Sequence, residues 1–129
     1  MKLGYTILYV EDVEKTIEFY ENAFGLNKLF LHESGDYGEL DTGDTKLAFA
    51  SYRLAELNDV GFSKPTDNKT STMEIALVTD DVNTAYNTAL ETGAIVVHEP
   101  KEKPWGQTVG YVRDINGFLV ELCTPIQQS

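Results

Sequence analysis

The stretch YTILYVEDVEKTIEFYENAFGL, residues 5–26, decides the fold. Alternating β-branched and aromatic side chains at its start predict a β-strand over residues 3–10. Asp12 stands where a helix N-cap belongs, and Gly25 stands where a helix can end in a left-handed conformation. Between them the apolar side chains recur at helical spacing, at Val13, Ile17, Tyr20 and Phe24. The stretch therefore predicts a strand, a tight turn and an amphipathic helix.

Short strands separated by turn signals follow this helix. Gly35–Asp36 and Gly43–Asp44 are dipeptides typical of tight turns between strands. The strands that they delimit are predicted over residues 26–34, 37–41 and 45–51. Residues 52–57 predict a further helical turn. The first half of the chain is therefore a β-α-β-β-β module.

A weaker copy of this module begins near residue 72. Asp81 and Gly93 bound its predicted helix, and Asn116–Gly117 is the strongest type I′ hairpin signal in the chain. The strands of the copy are predicted over residues 72–79, 94–99, 107–113 and 118–124. The second half of the chain therefore repeats the β-α-β-β-β order of the first.

Comparing the two modules aligns particular residues. A shift of 69 positions, set by the two helix-capping aspartates, aligns Tyr5 with Glu74. A shift of 73 positions, set by the aspartate before the last turn of each module, aligns Ala48 with Glu121. The repeat is too long for a solenoid, so it indicates a duplicated half-domain.

These patterns predict an α+β fold in which two βαβββ modules form a curved, trough-like sheet with one main helix per module. At 129 residues the chain is long enough for a single domain with a substantial core. We place module one at about residues 1–58 and module two at about residues 72–129. The polar segment between them, about residues 59–71, predicts a linker or lid.

The composition limits the partners of this chain. A net charge of −11 disfavours nucleic acid and anionic membrane surfaces, because no concentrated basic patch is available to neutralise phosphate. No apolar run approaches the roughly 20 residues that span a bilayer. The N-terminus lacks signal-peptide features and Cys123 is the single cysteine, so we predict a cytoplasmic protein without an internal disulfide. The acidity suits a cationic small ligand, although solubility alone would also explain it.

Strand alternation separates the side chains that face a helix from those that face away. Tyr5, Ala48, Glu74 and Glu121 all face away from the helices, and two sheets that close into a trough would place them in its lining. Two unpaired carboxylates in an apolar lining cost several kcal/mol. A metal ion, a cationic ligand, a basic partner such as Lys46 or a raised pKa must therefore accompany Glu74 and Glu121.

Aromatic, basic and imidazole side chains near this lining are further candidates. The aromatic ones are Tyr9, Phe30, Tyr111 and Trp105, for which packing in the strands or the loop is an equal alternative. Arg113 is expected to form a local turn or an ion pair with Asp114. His32 and His98 fall near strand ends, so we expect them at exposed edges and not as metal ligands.

Over its whole length the chain resembles the vicinal oxygen chelate superfamily, which includes glyoxalase I, bleomycin-resistance proteins and extradiol dioxygenases. Residues 5–26, the segment WGQTVGYVRDINGFLVEL at residues 105–122 and the paired modules carry the resemblance. These features are specific for the fold and not for the activity, because one scaffold hosts several chemistries.

The resemblance implies a divalent metal site at inward positions of the first, fifth and eighth strands, sometimes with the fourth. In this sequence those positions hold Tyr5, Glu74, Glu121 and Ala48. Glu121 matches the usual glutamate of the last strand, and Glu74 can supply oxygen ligands where histidine is more common. Tyr5 replaces the usual first-strand histidine, and Ala48 cannot bind a metal. The ligand set that the resemblance implies is therefore incomplete.

Three functions are compatible with this sequence. The first is a glyoxalase/bleomycin-resistance-like protein, paired as a homodimer, that binds a small organic and cationic ligand in an acidic trough lined by Tyr5, Tyr9, Ala48, Trp105 and Tyr111. The second is a metal-dependent lyase, isomerase or dioxygenase in which Glu74 and Glu121 hold a divalent ion, one of them also transfers a proton, and Tyr5 is a third ligand or a hydrogen-bond donor. The third is a non-catalytic association module.

Overall fold

The computed structural model describes residues 1–66 and 69–126 and confirms the α+β fold of two β-α-β-β-β modules. The elements of the first module are β1 (Tyr5–Val10), α1 (Val13–Phe24), β2 (Asn27–Leu31), β3 (Tyr37–Asp41) and β4 (Lys46–Ser51), followed by the short α2 (Tyr52–Leu57). The elements of the second module are β5 (Ile75–Val78), α3 (Val82–Thr92), β6 (Ile95–Glu102), β7 (Thr108–Arg113) and β8 (Leu119–Cys123).

The chain forms two compact units, Met1–Lys64 and Pro65–Ser129. The boundary between them falls within the predicted linker at residues 59–71. Residues 67–68 of that linker and residues 127–129 of the predicted second module lie outside the described residues. None of the helices in the described ranges combines the length and the apolar character needed to cross a membrane.

The two sheets have the same topology. Their strand orders are β1-β4-β3-β2 and β5-β8-β7-β6, and in each the first and last strands pair in parallel. Ile7 pairs with Ala48 in the first sheet, and Ala76 pairs with Glu121 in the second. These pairs have the offsets of 69 and 73 positions that the sequence comparison used. The predicted alignment of the two modules is therefore confirmed at the level of strand register.

The helix ends have the predicted caps. The Asp12 carboxylate accepts a hydrogen bond from the Lys15 amide at 3.0 Å, and Gly25 ends α1 with a φ of 69°. The Asp81 carboxylate accepts one from the Thr84 amide at 3.1 Å. A carboxylate at the N-terminus satisfies an amide that the helix itself leaves unpaired, and glycine adopts the left-handed C-cap without a steric penalty.

The hairpin between β7 and β8 is present, but the predicted turn type is wrong. A type I′ turn needs a positive φ at both central residues, and here only Gly117 has one, at 92°. The buried Asp114 explains the difference, because its carboxylate accepts hydrogen bonds from the amides of Asn116 and Phe118 at 2.8 and 2.9 Å. These hydrogen bonds reach from residue 114 to residue 118, so they hold a loop that is longer than a two-residue turn.

Two strand bounds also differ from the prediction. β5 begins at Ile75, so Glu74 directly precedes the strand and does not lie within it. β6 continues through Pro100 to Glu102, where the sequence predicted a loop. β6 is the outer strand of its sheet and its register shifts on both sides of His98, so the missing amide of a proline costs little there.

Each unit has its core between its sheet and its main helix. In the first unit Tyr20 of α1 packs on Phe49 of β4 with ring centroids 5.1 Å apart. The other fully buried side chains around them are Leu8, Val10, Val13, Ile17 and Leu40. In the second unit the buried side chains of α3 and its sheet are Val82, Tyr86, Ala89, Val112, Val120 and Leu122. The side chains of β1, β4 and β8 that the alternation assigned to the helix side are buried, apart from the half-buried Phe118. On the opposite faces Ala48 and Cys123 are buried as well, whereas Tyr5 is exposed.

We expect Gly38→Ala to lower the free energy of unfolding by about 1–3 kcal/mol, because α1 lies directly against this glycine. An added Cβ would meet Ile17 Cδ1, and it would lie 3.1 Å from the Phe30 carbonyl oxygen and 3.2 Å from Val13 Cγ1. Ile17 is fully buried and has little room to move. Urea denaturation followed by circular dichroism measures the effect.

Gly4→Ala is the matched control, since nothing lies within 4 Å of its added Cβ. Its free energy of unfolding should stay within about 0.5 kcal/mol of the wild type. Equal stability of the two variants would contradict the close packing of α1 on β3.

Candidate functional site

Two carboxyl groups meet on the face of the second sheet that lies opposite α3. Glu121 lies on β8, and Glu74 directly precedes the neighbouring β5. Glu121 lies close enough to Glu74 to raise the pKa of the Glu74 carboxyl group. The Tyr111 hydroxyl, on the other neighbouring strand, donates to Glu121 Oε1 at 2.9 Å. The structure therefore brings together three of the predicted site residues, and we call Glu74 and Glu121 the carboxylate pair.

The surroundings of Glu74 favour its protonated form. The pKa of Glu74 is raised above its ordinary value, first by desolvation, then by the negative charge of Glu121 and by the hydrogen bond between the two groups. Two carboxylates at hydrogen-bond distance repel each other when both are ionised, and one proton removes this repulsion. Glu74 therefore retains its proton to a higher pH than a free glutamate does.

The groups around the pair are neutral hydrogen-bond donors. Burial, together with the hydrogen bond to Glu121, raises the pKa of Tyr111 to about 12. The same two causes raise the pKa of Cys123 to about 11. At neutral pH the phenol and the thiol are both protonated, so neither is a nucleophile or an anionic ligand. Cys123 is also buried, as expected for a small core side chain.

No lysine or arginine in the described part of the second unit lies within ion-pair distance of the carboxylate pair. Arg113 instead donates to the Gly117 carbonyl oxygen at 3.3 Å and helps to close the β7–β8 turn, as its sequence position predicted. Lys46, the predicted basic partner, belongs to the first unit, where it is the register partner of Tyr5. In the described part of the second unit, therefore, no basic side chain forms an ion pair with Glu74 or Glu121.

A pocket of about 260 Å³ adjoins the ring of Tyr111. Its lining residues are His98, Glu99, Lys101, Lys103, Val109 and Tyr111. His98 lies at the exposed edge of the sheet, as predicted, with its ring edge-on to Tyr111 at 6.2 Å. Tyr111 therefore takes part in both features: its hydroxyl hydrogen-bonds to Glu121, and its ring lines the pocket.

Apart from Trp105, the other predicted lining residues occupy the first unit, on the face opposite α1. Tyr5 is 54% exposed, Tyr9 is half-buried against Phe62, and Ala48 is fully buried. The register partner of Ala48 on β3 is Glu39, which accepts a hydrogen bond from the Tyr37 hydroxyl at 2.8 Å. Sequence reasoning missed Glu39. Alternation along β3 assigns Glu39 to the same face as Tyr37. Its position beside Ala48, however, depends on the register between β3 and β4, which local sequence patterns do not encode.

Trp105 is tied to its own loop. Its indole Nε1 donates to Gln107 Oε1 at 2.8 Å, and the Gln107 amide donates to the Thr124 carbonyl oxygen at 2.8 Å. The ring is 62% exposed. The structure thus places Trp105 at the end of the β7–β8 ladder, outside the cluster around Tyr111.

The residues present do not fit a catalytic metal site. Such a site takes about three protein ligands and keeps open positions. The described ranges contain no group of three or more His, Cys, Asp or Glu side chains that could hold a metal ion. The second unit offers two carboxyl groups, of which Glu74 has a raised pKa, and the adjacent Tyr111 hydroxyl is a neutral donor. Tyr5, the predicted third ligand, belongs to the first unit.

Comparison with known proteins identifies relatives over the whole chain. Residues 2–122 match the model of the Glyoxalase/Bleomycin resistance protein/Dioxygenase superfamily. The chain is 30% identical to the lactoylglutathione lyase of Neisseria meningitidis serogroup A, over 94% of this chain and 88% of that protein. It is 29% identical to a probable lactoylglutathione lyase of Vibrio cholerae, with the same coverage. A glyoxalase-related enzyme from Fulvimarina pelagi has the same fold, with a TM-score of 0.80 at 20% identity over 97% of this chain and 88% of that one.

We predict that the Glu74 carboxyl titrates above the ordinary glutamate value of about 4.3 and that its pKa falls partway in Glu121→Gln. The substitution removes the neighbouring negative charge, while desolvation remains. Because the folded state holds this proton more tightly than the unfolded chain, the contribution of Glu74 to stability falls as the pH rises from the unfolded to the folded pKa. Carbon-13 NMR of the glutamate carboxyl groups measures both pKa values.

The control is Glu91→Gln, which removes an exposed carboxylate from α3, on the other side of the sheet. It should leave the pKa of Glu74 unchanged. A Glu74 that titrates at the ordinary value in the wild type would contradict the close approach of the two carboxyl groups.

Proposed function

This chain belongs to the glyoxalase/bleomycin resistance protein/dioxygenase superfamily, and we propose that it binds a small organic molecule that carries a cationic group. In this proposal the carboxylate pair receives the cation and Tyr111 contacts the organic part. The protein acts by sequestering or sensing the ligand. The homodimer and the cytoplasmic location stay predictions of the sequence.

The observation that supports this proposal is the carboxylate pair without a basic partner in its own unit. A buried or half-buried carboxylate normally has a cation, hydrogen-bond donors or a proton to offset its desolvation. Here the offset is the proton of Glu74 and the hydroxyl of Tyr111. An organic cation can replace that proton, and it then gains the attraction of two negative charges in place of one.

The surroundings of the pair suit an organic cation better than a bare metal ion. A metal ion must exchange its water for several oxygen or nitrogen ligands, and the pair supplies two residues. An organic cation needs fewer ligands, because its apolar part gains from burial against the ring of Tyr111. The net charge of −11 adds long-range attraction for such a ligand.

We expect benzylammonium to bind the wild type and Glu121→Gln to weaken this binding about tenfold, which corresponds to about 1.4 kcal/mol for a charge-assisted hydrogen bond. The affinity should rise with pH through the raised pKa of Glu74, because the cation favours the ionised form of both carboxyl groups. NMR titration, followed at the ring resonances of Tyr111, measures the dissociation constant.

Benzyl alcohol is the neutral analogue of this probe, and Glu91→Gln is the matched variant with the same charge change on α3. We expect the alcohol to bind much more weakly than the cation and the variant to bind as the wild type does. Equal binding of the alcohol and the cation, or equal weakening in the two variants, would exclude the carboxylate pair as a cation site.

The second candidate function is a divalent-metal-dependent lyase, isomerase or dioxygenase. Two observations favour it: relatives at 29–30% identity are named lactoylglutathione lyase or probable lactoylglutathione lyase, and Glu74 and Glu121 are adjacent. In this function the two carboxyl groups are the catalytic residues, and one of them transfers a proton. The incomplete donor set speaks against it, so we place it second.

Metal binding separates the two functions. We expect titration of the purified protein with Mn²⁺, Ni²⁺, Zn²⁺ or Fe²⁺ to give no stoichiometric site that depends on Glu121, because the described residues supply no third ligand to the pair. Isothermal titration calorimetry of the wild type and Glu121→Gln provides the measurement. One equivalent of metal in the wild type that is lost in the variant would support the metal-dependent function and overturn the first proposal.

A further inference from the structure

The pocket of about 260 Å³ beside Tyr111 is basic, although the chain as a whole carries a net charge of −11. Its charged lining residues are Lys101, Lys103 and Glu99, and His98 adds an imidazole. Two lysines against one glutamate leave the lining with a net positive charge even when the imidazole is neutral. A pocket whose charge is opposite to that of its protein indicates a preference for an anionic group.

A bulge in β6 shapes this pocket. His98 and Lys101 are three positions apart in β6, but their partners in β7 are only two positions apart. Such an extra residue bends the strand that carries it. Pro100 lies in the bulge and packs on Gly110 of β7, where an added Cβ would be 3.2 Å from the proline Cγ. Because their partners are two positions apart, His98 and Lys101 lie on one face of the sheet, the face of Tyr111.

Lys103 stands at the end of the pocket, where β6 turns toward β7. Its backbone amide donates to the Gln107 carbonyl oxygen at 2.8 Å, and its carbonyl oxygen accepts from the Gly106 amide at 2.8 Å. These bonds fix the backbone that carries the side chain. Lys103 is half-buried and Lys101 is exposed, and in the described part of the chain neither ammonium group lies within ion-pair distance of a carboxylate. Both charges can therefore pair with an anion that enters the pocket.

The remaining wall of the pocket is apolar. Val109 is 4% exposed, and the ring of Tyr111 stands edge-on to His98 with centroids 6.2 Å apart. The volume of about 260 Å³ is slightly below the roughly 300 Å³ at which pockets for small organic ligands begin. The pocket therefore suits a carboxylate attached to a small apolar body and is too small for an extended polyanion.

We propose that this pocket binds the carboxylate of a small organic acid, with Lys101 and Lys103 as its counter-charges. Hydrogen bonds between an ammonium group and a carboxylate are stronger than those between neutral groups, and the apolar body gains from contact with Val109 and Tyr111. Lysines on an outer strand also prevent it from pairing with another chain. That role requires only exposure, so it does not account for a half-buried Lys103 in the wall of a pocket.

The pocket is distinct from the carboxylate pair, but both lie on the same face of the second sheet. Tyr111 on β7 is the register partner of Glu121 on one side and of His98 on the other. The outer two of these three strands, β8 and β6, are about 10 Å apart. A ligand with an ammonium group at the pair and a carboxylate in the pocket therefore needs a body about one aromatic ring long. This ligand class rests on the proposed function, whereas the anion site rests on the pocket alone.

NMR titration with benzoate, at constant pH and ionic strength, tests the anion site. We expect the ring resonances of Tyr111 and His98 to shift in the wild type. Lys101→Gln and Lys103→Gln should each weaken binding about threefold, and Glu99→Gln should strengthen it by a similar factor, because it removes the negative charge of the lining. Effects of opposite sign at neighbouring positions report charge, since partial unfolding would weaken binding in all three variants.

The controls are a neutral ligand and a lysine on the other sheet. Benzamide, the neutral analogue of benzoate, should bind much more weakly. Lys28 is exposed on β2, the outer strand of the first sheet, so Lys28→Gln makes the same charge change at an equivalent edge and should bind benzoate as the wild type does. Equal binding of benzamide and benzoate, or equal affinity in Lys103→Gln and the wild type, would overturn the proposal.

Titration with 4-(aminomethyl)benzoate, which combines benzylammonium and benzoate in one molecule, tests the ligand class. We expect it to bind more tightly than either single-charge probe and to lose affinity in both Glu121→Gln and Lys103→Gln. Benzoate binding that depends on Lys103, without any binding of benzylammonium, would support the anion site and contradict the proposed function. Benzylammonium binding that depends on Glu121, together with benzoate binding that ignores both lysines, would support the proposed function and overturn the anion site.

Discussion

The parallel pairing of the first and last strands in each unit is the constraint on which the other features depend. β1 and β4 are separated by a helix and a hairpin, yet they are direct neighbours in the sheet, and β5 and β8 repeat this arrangement. A parallel pair needs such a crossover connection, and the helix of the crossover covers one face of the sheet. The opposite face of each sheet is not covered by that helix, and it is the face that holds the candidate site residues. The pairing also fixes the register, because a slip by one residue would exchange the two faces.

The two units use this shared frame in different ways. In the second unit the central strand carries Glu121, which accepts a hydrogen bond from Tyr111 and raises the pKa of the neighbouring Glu74. In the first unit the central strand carries alanines, and the carboxylate is Glu39 on the next strand, hydrogen-bonded by Tyr37. Both sheets thus hold a tyrosine-bonded carboxylate on the face opposite the helix. In the first sheet buried alanines lie beside the carboxylate, and in the second a partner carboxyl group lies there.

Electrostatics explains why the second unit by itself is poorly suited to hold a divalent metal ion. A hard divalent cation binds a cluster of ionised or neutral ligands that can all donate electron pairs. Around Glu121 the nearest groups are a protonated phenol and a protonated thiol, and the other carboxyl group has a raised pKa. The cluster therefore lacks the set of electron-pair donors that a hard divalent cation needs.

The sequence alone determined the local features: the two modules, the helix caps at Asp12 and Asp81, the helix-facing side chains and the alignment of the repeats. These follow from short-range rules, namely helical spacing, alternation along a strand and capping within three residues. It also placed Glu74, Glu121 and Tyr111 among the candidates, because alternation assigns each strand residue to a face.

Only the tertiary structure decided which candidates meet. The contacts between Tyr111 and Glu121, and the place of Glu39 beside Ala48, depend on strand register, which bulges and turn geometry set and which local patterns do not encode. The type of the β7–β8 turn likewise depended on the hydrogen bonds of the buried Asp114, which outweighed the preference of the Asn-Gly pair. Local chemistry thus assigned residues to faces, and long-range pairing assembled them into sites.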